Sequence, residues 1–256
     1  FSLFLNNGTI TVNGTLNLPV GRMDTGTITA KGNIVLSPNW DGGTASYILD
    51  GGTTQTISSS SSGASTLTTS TLTVSGTNTI VTIDPSLTSL TLGAYSQSGG
   101  TFNGGSGAIS MPTFTLTGGT FNSTSGTLSL TNLGTVFSHT AGQGTFNAGS
   151  GTVSFTPNSG GWTGQTLNAS GETFNNLTVN TGNHSFSLFL NNGTITVNET
   201  LNLPIGQMST GTVNAKGNII LGSDGYWDGG NANYVISRSG AQTISGTGPF
   251  TTGTVP

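Results

Sequence analysis

Thirteen consecutive residues, FSLFLNNGTITVN at Phe1–Asn13, return unchanged at Phe186–Asn198. The likeness runs on: 29 of the 36 positions in 1–36 are identical in 186–221. After a two-residue insertion, the Trp-Asp-Gly-Gly of Trp40–Gly43 recurs at Trp227–Gly230, and the Gln-Thr-Ile-Ser of Gln55–Ser58 at Gln242–Ser245. A shorter period is nested inside the long one. GTITVNGTLNL from Gly8 is echoed 18 residues later by GTITAKGNIVL from Gly26, and TFN-headed strings start at Thr101, Thr120 and Thr145. Internal periods of roughly 20 to 50 residues mark architectures in which each repeat buries its apolar face against the next. A unit with two or three short strands and Gly, Asn or Ser corners suits one coil of a β-solenoid.

The alternation within each unit has the period of a strand. In Thr27-Ile28-Thr29-Ala30-Lys31, Ile28 and Ala30 are expected to face inward and Thr27, Thr29 and Lys31 outward. Differences between the two copies respect that division. Apolar positions exchange conservatively (Val20 for Ile205, Ile28 for Val213, Val35 for Ile220), while polar positions change freely (Gly14 to Glu199, Arg22 to Gln207, Asp24 to Ser209, Thr29 to Asn214). The expected class is all-β, a parallel β-helix of about a dozen coils without helical caps. Residues 1–185 make one full period and 186–256 begin a second, continuous with the first in a single elongated domain.

Composition narrows the function classes. Charged residues are 5% of the chain, Gly numbers 42, and Ser and Thr together number 80. Disordered chains are charged and poor in β-branched and aromatic residues; here Val, Ile, Leu and Phe recur along every alternating stretch, so a packed core is expected. A net charge of −4, from scattered residues, offers no basic patch for nucleic acid. No apolar run approaches the ~20 residues that span a bilayer, so no membrane insertion is expected. Without cysteine, stability must come from backbone ladders.

QTLNASGETFNNLTVNTG at Gln165–Gly182, followed by TITVNETLNL at Thr194–Leu203, resembles the repeats of secreted bacterial β-strand repeat proteins, which are similar to filamentous-haemagglutinin-type and autotransporter passengers. The resemblance covers most of the chain. It implies a right-handed parallel β-helix at the surface of a bacterium or archaeon and no catalytic residue.

Few residues offer chemistry. A polysaccharide-active enzyme would need carboxylates converging in a cleft, near Asp84 or Glu172. Only one acid recurs between copies, Asp41 as Asp228, and one base, Lys31 as Lys216; these read as a structural salt bridge or as solvated side chains beside the Trp-Asp-Gly-Gly turn. One carboxylate per copy is too few for Ca²⁺, and His139 and His184 have no partner at metal-ligand spacing. No cofactor is expected. Asn7, Asn13, Asn122, Asn192 and Asn198 head glycosylation sequons, at the frequency that chance gives so Thr-rich a chain. Thr-X-Thr pairs suggest an ice-binding ladder, but Asn214 interrupts it in the second copy.

No polar cap or signal-peptide pattern opens the chain, and its last residues resemble strands that continue in the first copy. The expectation is a longer polypeptide or subunits stacked end to end. Phe1, Leu3, Phe4, Phe189, Phe250 and Val255 are the candidate subunit contacts. The expected function is therefore a non-enzymatic structural protein that self-associates into an extracellular filament, sheath or stalk. An adhesin passenger that binds glycans or a host surface is the alternative, ahead of the ice-binding and enzymatic readings.

Overall fold

The computed structural model describes residues 1–140, 142–158, 164–169, 171–191, 193–223 and 225–249. Among them the chain forms short strands and no helix, and the strands stack in parallel as a β-solenoid of about 11 turns. Phe250, Val255 and Asn192 lie outside the described residues.

Contacts divide the chain into two compact units. The first comprises Phe1–Leu128 with Gly142–Asn147, the second Ser129–Ala141 with Ala148–Pro256. The boundary between sequence periods, Ser185–Phe186, therefore falls inside the second unit.

In the first unit, strands Thr9–Val12, Thr27–Ala30, Ser46–Leu49, Thr71–Val74 and Ala94–Asn103 pair successively in register. Parallel in-register pairing places like parity over like parity. One inward column thus runs Ile10, Ile28, Tyr47, Leu72, Tyr95, Phe114. Ile28 and Ala30 are fully buried, Thr27 and Thr29 half-buried and Lys31 exposed, as the alternation predicts. A second column runs Gln55, Val81, Phe102, Phe121, Phe146, so the three TFN strings stack their rings on one another. Phe121 lies 5.0 Å from Phe102 and 5.8 Å from Phe146, both stacked, and meets Tyr95 and Phe114 edge-on at 5.3 and 4.8 Å.

The asparagines that follow these phenylalanines form a second, outward ladder. Asn122 Nδ2 donates to Asn103 Oδ1, and Asn147 Nδ2 to Asn122 Oδ1, each at 2.7 Å. Amides one rung apart can satisfy each other because parallel strands keep identical residues at the ladder spacing.

The second unit repeats the scheme. Val153, Leu177, Leu201, Ile219 and Ile244 form one column, and Glu172, Ile195, Val213 and Tyr234 another. The Trp-Asp-Gly-Gly segment recurs because its last glycine must approach the backbone of the previous coil. Gly43 and Gly230 have φ of 95° and 93°, and a Cβ on either would overlap the carbonyl oxygen of Met23 or Met208.

Candidate functional site

Polar side chains that the fold buries are the natural place to look for function, since each needs a partner. Four glutamines stand at inward or corner positions and clasp backbone carbonyls. Gln55 Nε2 donates to Ala30 and Gly32 O at 2.8 Å each, while its Oε1 accepts from Gly51 N at 3.1 Å. Gln165 reaches Leu130 and Asn132 O at 3.0 and 2.7 Å, and Gln242 reaches Ala215 and Gly217 O. Gln97 donates to Gly99, Gly100 and Thr120 O and accepts from the Tyr95 hydroxyl at 2.8 Å. The glutamine thus closes the corner where strand ladders end. Its signal was in the sequence, as the recurring Gln-Thr-Ile-Ser, but it carries structure and no chemistry.

Three ion pairs occur among the described residues: Arg22–Asp24, His139–Glu172 and His184–Asp228. Lys31, Lys216 and Asp41 are exposed and join none of them, so Lys31 and Asp41 fit the solvated reading. The recurring acid instead has its ion-pair partner only in the second copy, where His184 Nδ1 lies 3.1 Å from Asp228 Oδ2. Ser185 Oγ lies 3.4 Å from the same Nδ1. A nucleophile relay needs the hydroxyl on one imidazole nitrogen and the carboxylate on the other. Sharing a single nitrogen, this exposed trio cannot pass a proton from serine to aspartate, and it ties the 183–186 turn to the strand Trp227–Gly230 two coils along.

Neither acid proposed for a catalytic cleft lines the grooves described among residues 1–91 or 152–220. Asp84 accepts from Ser86 N at 2.8 Å, a turn contact that lowers its pKa. Glu172 is buried against His139 Nδ1. Among the described residues no three His, Asp or Glu side chains gather as a metal site. Among the described residues no helix is long and apolar enough to cross a membrane.

Asp24 is a carboxylate whose pKa the fold lowers strongly. Arg22 Nε and Nη2 donate to it at 2.7 and 2.8 Å, and Thr44 N and Oγ1 at 3.1 and 3.2 Å. The Arg22 hydrogen bonds chiefly, opposed by burial and aided by Thr44, hold its pKa at about 2. A carboxylate lowered in the folded state contributes stability that is present above about pH 4 and is lost as pH falls toward 2. Asp24→Asn is expected to flatten that acid limb. Thermal midpoints at about pH 2.5 and 6 check it, and a variant that tracks the wild type at both pH values would refute it.

The candidate contact residues fall into two groups. Phe1, Leu3 and Phe4 are exposed at 110, 52 and 61%. In the second copy Phe186, Leu188 and Leu190 are buried, while Phe189 keeps 38% exposure with its ring over Gly164, whose Cα leaves room for it. Of the sequon asparagines, Asn7, Asn13 and Asn198 are exposed, whereas the Asn122 amide is committed to the ladder on both sides.

Fold and polar chemistry together define a β-solenoid repeat protein whose buried polar groups close corners. No protein-family model matches the chain, no curated protein matches it, and no solved structure matches it. The resemblance to β-strand repeat proteins therefore rests on the residues quoted for it.

Proposed function

We propose that the protein is a non-enzymatic structural element, the repeating body of an extracellular filament, sheath or surface stalk. The observation that carries this reading is the passage from one period into the next. Across Ser185–Phe186 the parallel ladder continues: Leu188 pairs with Gln165, Phe189 with Thr166, Ile195 with Glu172 and Leu201 with Leu177. The paired residues Leu188, Phe189, Ile195, Thr196, Val197, Thr200, Leu201 and Asn202 are the same residues that stand at Leu3, Phe4, Ile10, Thr11, Val12, Thr15, Leu16 and Asn17. A coil of the first period's sequence thus sits on the last coil of that period, the pairing continuing through two register shifts at Phe174/Asn176 and Thr178/Asn180, so the period is able to tile.

The exterior supports the same reading. Uncharged Thr, Ser and Asn cover the outward positions, and the buried polar groups are spent on corners. A stack of this kind supplies length and stiffness through nearest-neighbour contacts, with no site to assemble. The adhesin alternative has one observation in its favour: a shallow groove of about 340 Å³ in the second unit, lined by Thr152, Asn176, Thr178, Thr200, Asn202 and Ile220.

Negative-stain electron microscopy of the native material is the test. Filaments or stalks carrying the protein along their length are expected; dispersed single particles would overturn the proposal.

A further inference from the structure

Glu172 stands at the head of the inward column Ile195, Val213, Tyr234, where the second unit otherwise places apolar side chains. It is 7% exposed, as is His139, whose Nδ1 contacts its Oε1. Nε2 of His139 is buried without a hydrogen-bond partner. From Pro85 to Asn198 the sequence holds no ionisable side chain besides Tyr95, His139, Glu172 and His184. Of these, Tyr95 lies in the first unit and His184 is exposed beside Asp228. The elements packed on the pair in the second unit are Gln165–Asn168, Thr152–Phe155 and Thr194–Ser209. Their only titratable group is Glu199, which is exposed. No other charge, then, is available to compensate either partner.

We propose that His139 and Glu172 act as a one-proton lock between the strands Gly134–His139 and Glu172–Asn180. With one proton between them, Nδ1 and Oε1 share a hydrogen bond, either as imidazolium and carboxylate or as imidazole and carboxyl. With none, the neutral imidazole keeps the hydrogen bond through its Nδ1–H tautomer, but the carboxylate is left buried with no cation beside it. With two, a buried imidazolium faces a neutral carboxyl and no anion. The folded core accepts only the first, because an uncompensated buried charge is far costlier than a paired one.

The pH dependence follows from proton counting. In the unfolded chain Glu and His titrate near about 4.3 and 6.5, so the unfolded pair holds two protons below that window, one within it and none above. The folded pair holds one throughout. The lock therefore contributes fully between about pH 4.3 and 6.5, and the folding equilibrium falls by up to about tenfold per pH unit on either side. Burial raises the Glu172 pKa against the lowering effect of His139, which has the same sign: a proton retained in the fold after the unfolded chain has released it. On the acid side Asp24 and Asp84, both lowered, add their own losses, so the alkaline limb is diagnostic.

Urea unfolding of the full chain at about pH 6 and 8 tests the lock. The wild type is expected to lose roughly thirtyfold in its folding constant between them, and His184→Asn to lose the same. The double variant His139→Leu/Glu172→Met, which replaces the pair with apolar volume, is expected to lose less than about threefold. A wild-type loss below about threefold, or a double variant that keeps the full loss, overturns the proposal. Should the double variant not fold, calorimetry of wild-type unfolding at about pH 8 in buffers of different ionisation enthalpy decides: about one proton released supports the lock, and none refutes it.

Discussion

Phe121→Ala is expected to cost about 3–5 kcal/mol, the largest loss of any single substitution argued from this fold. Phe121 is fully buried at the centre of the first unit's aromatic column, between Phe102 and Phe146 and edge-on to Tyr95 and Phe114. Truncation removes the transfer free energy of the ring and opens a cavity whose walls are other rings held by their own strand ladders. Those walls cannot collapse inward without breaking parallel pairs on both sides, so the cavity persists. Four aromatic contacts of favourable geometry are lost in addition. In a stack whose units touch only their neighbours, the loss stays local. Hydrogen exchange is expected to rise first on Ala94–Asn103 and Phe114–Asn122 and to leave Thr9–Val12 nearly unchanged. Phe189→Ala, at a ring 38% exposed, is the control and is expected to cost less than about 1.5 kcal/mol. If urea unfolding showed the two substitutions to be equal, the stacked column could not be the source of the first unit's stability.

The columns were legible in the sequence because parity and period are independent signals that agree. Alternation at Thr27–Lys31 assigns inward and outward, and the return of the same string a coil later assigns the register. The parity of Phe186–Leu190 also follows: Phe186, Leu188 and Leu190 are buried, with Phe189 on the outer face. What parity does not supply is the neighbour of a polar residue. Lys31 and Asp41 recur together in sequence and join none of the ion pairs among the described residues. The lateral neighbours of each are a full coil away along the chain, at a distance set by corners of varying length. Arg22 and Asp24, two apart on one strand, were the pair that period two brings to one face, yet their replacement by Gln207 and Ser209 in the second copy made them look like drift.

His139 and Glu172 illustrate the same limit from the inside. Glu172 has the inward parity of Ile195, but an acid at an inward position reads from sequence as a break in the strand. Only the arrival of a histidine 33 residues upstream makes it admissible, and no spacing rule connects the two. The glutamines differ in degree. Gln55 shares the parity of Ile57 and recurs with it, so its inward placement was readable, while its reach back to the carbonyls of the previous coil was not.

That reach makes Gln55→Leu the second substitution with a large effect, expected to cost about 3 kcal/mol. Gln55 is 1% exposed and joins three backbone groups: Ala30 O, Gly32 O and Gly51 N. Leucine fills much the same volume and gains from its own burial, but it offers no donor or acceptor. Ala30 O retains a long contact from Asp50 N at 3.5 Å, whereas Gly32 O and Gly51 N lose the side-chain partner that closes the corner. Gly32 and Gly51 are half-buried, so each group left short of a partner costs up to about 1–3 kcal/mol, and the apolar gain offsets part of it. Gln242→Leu removes the equivalent clasp on Ala215 and Gly217 in the second copy. Gln242 is half-buried, so water replaces the lost donor and the expected cost is about 1 kcal/mol. The comparison separates two accounts of the recurring Gln-Thr-Ile-Ser. If the glutamine serves to satisfy carbonyls that water cannot reach, urea unfolding will rank Gln55→Leu well above Gln242→Leu. Equal losses would mean that it acts through packing that both corners share.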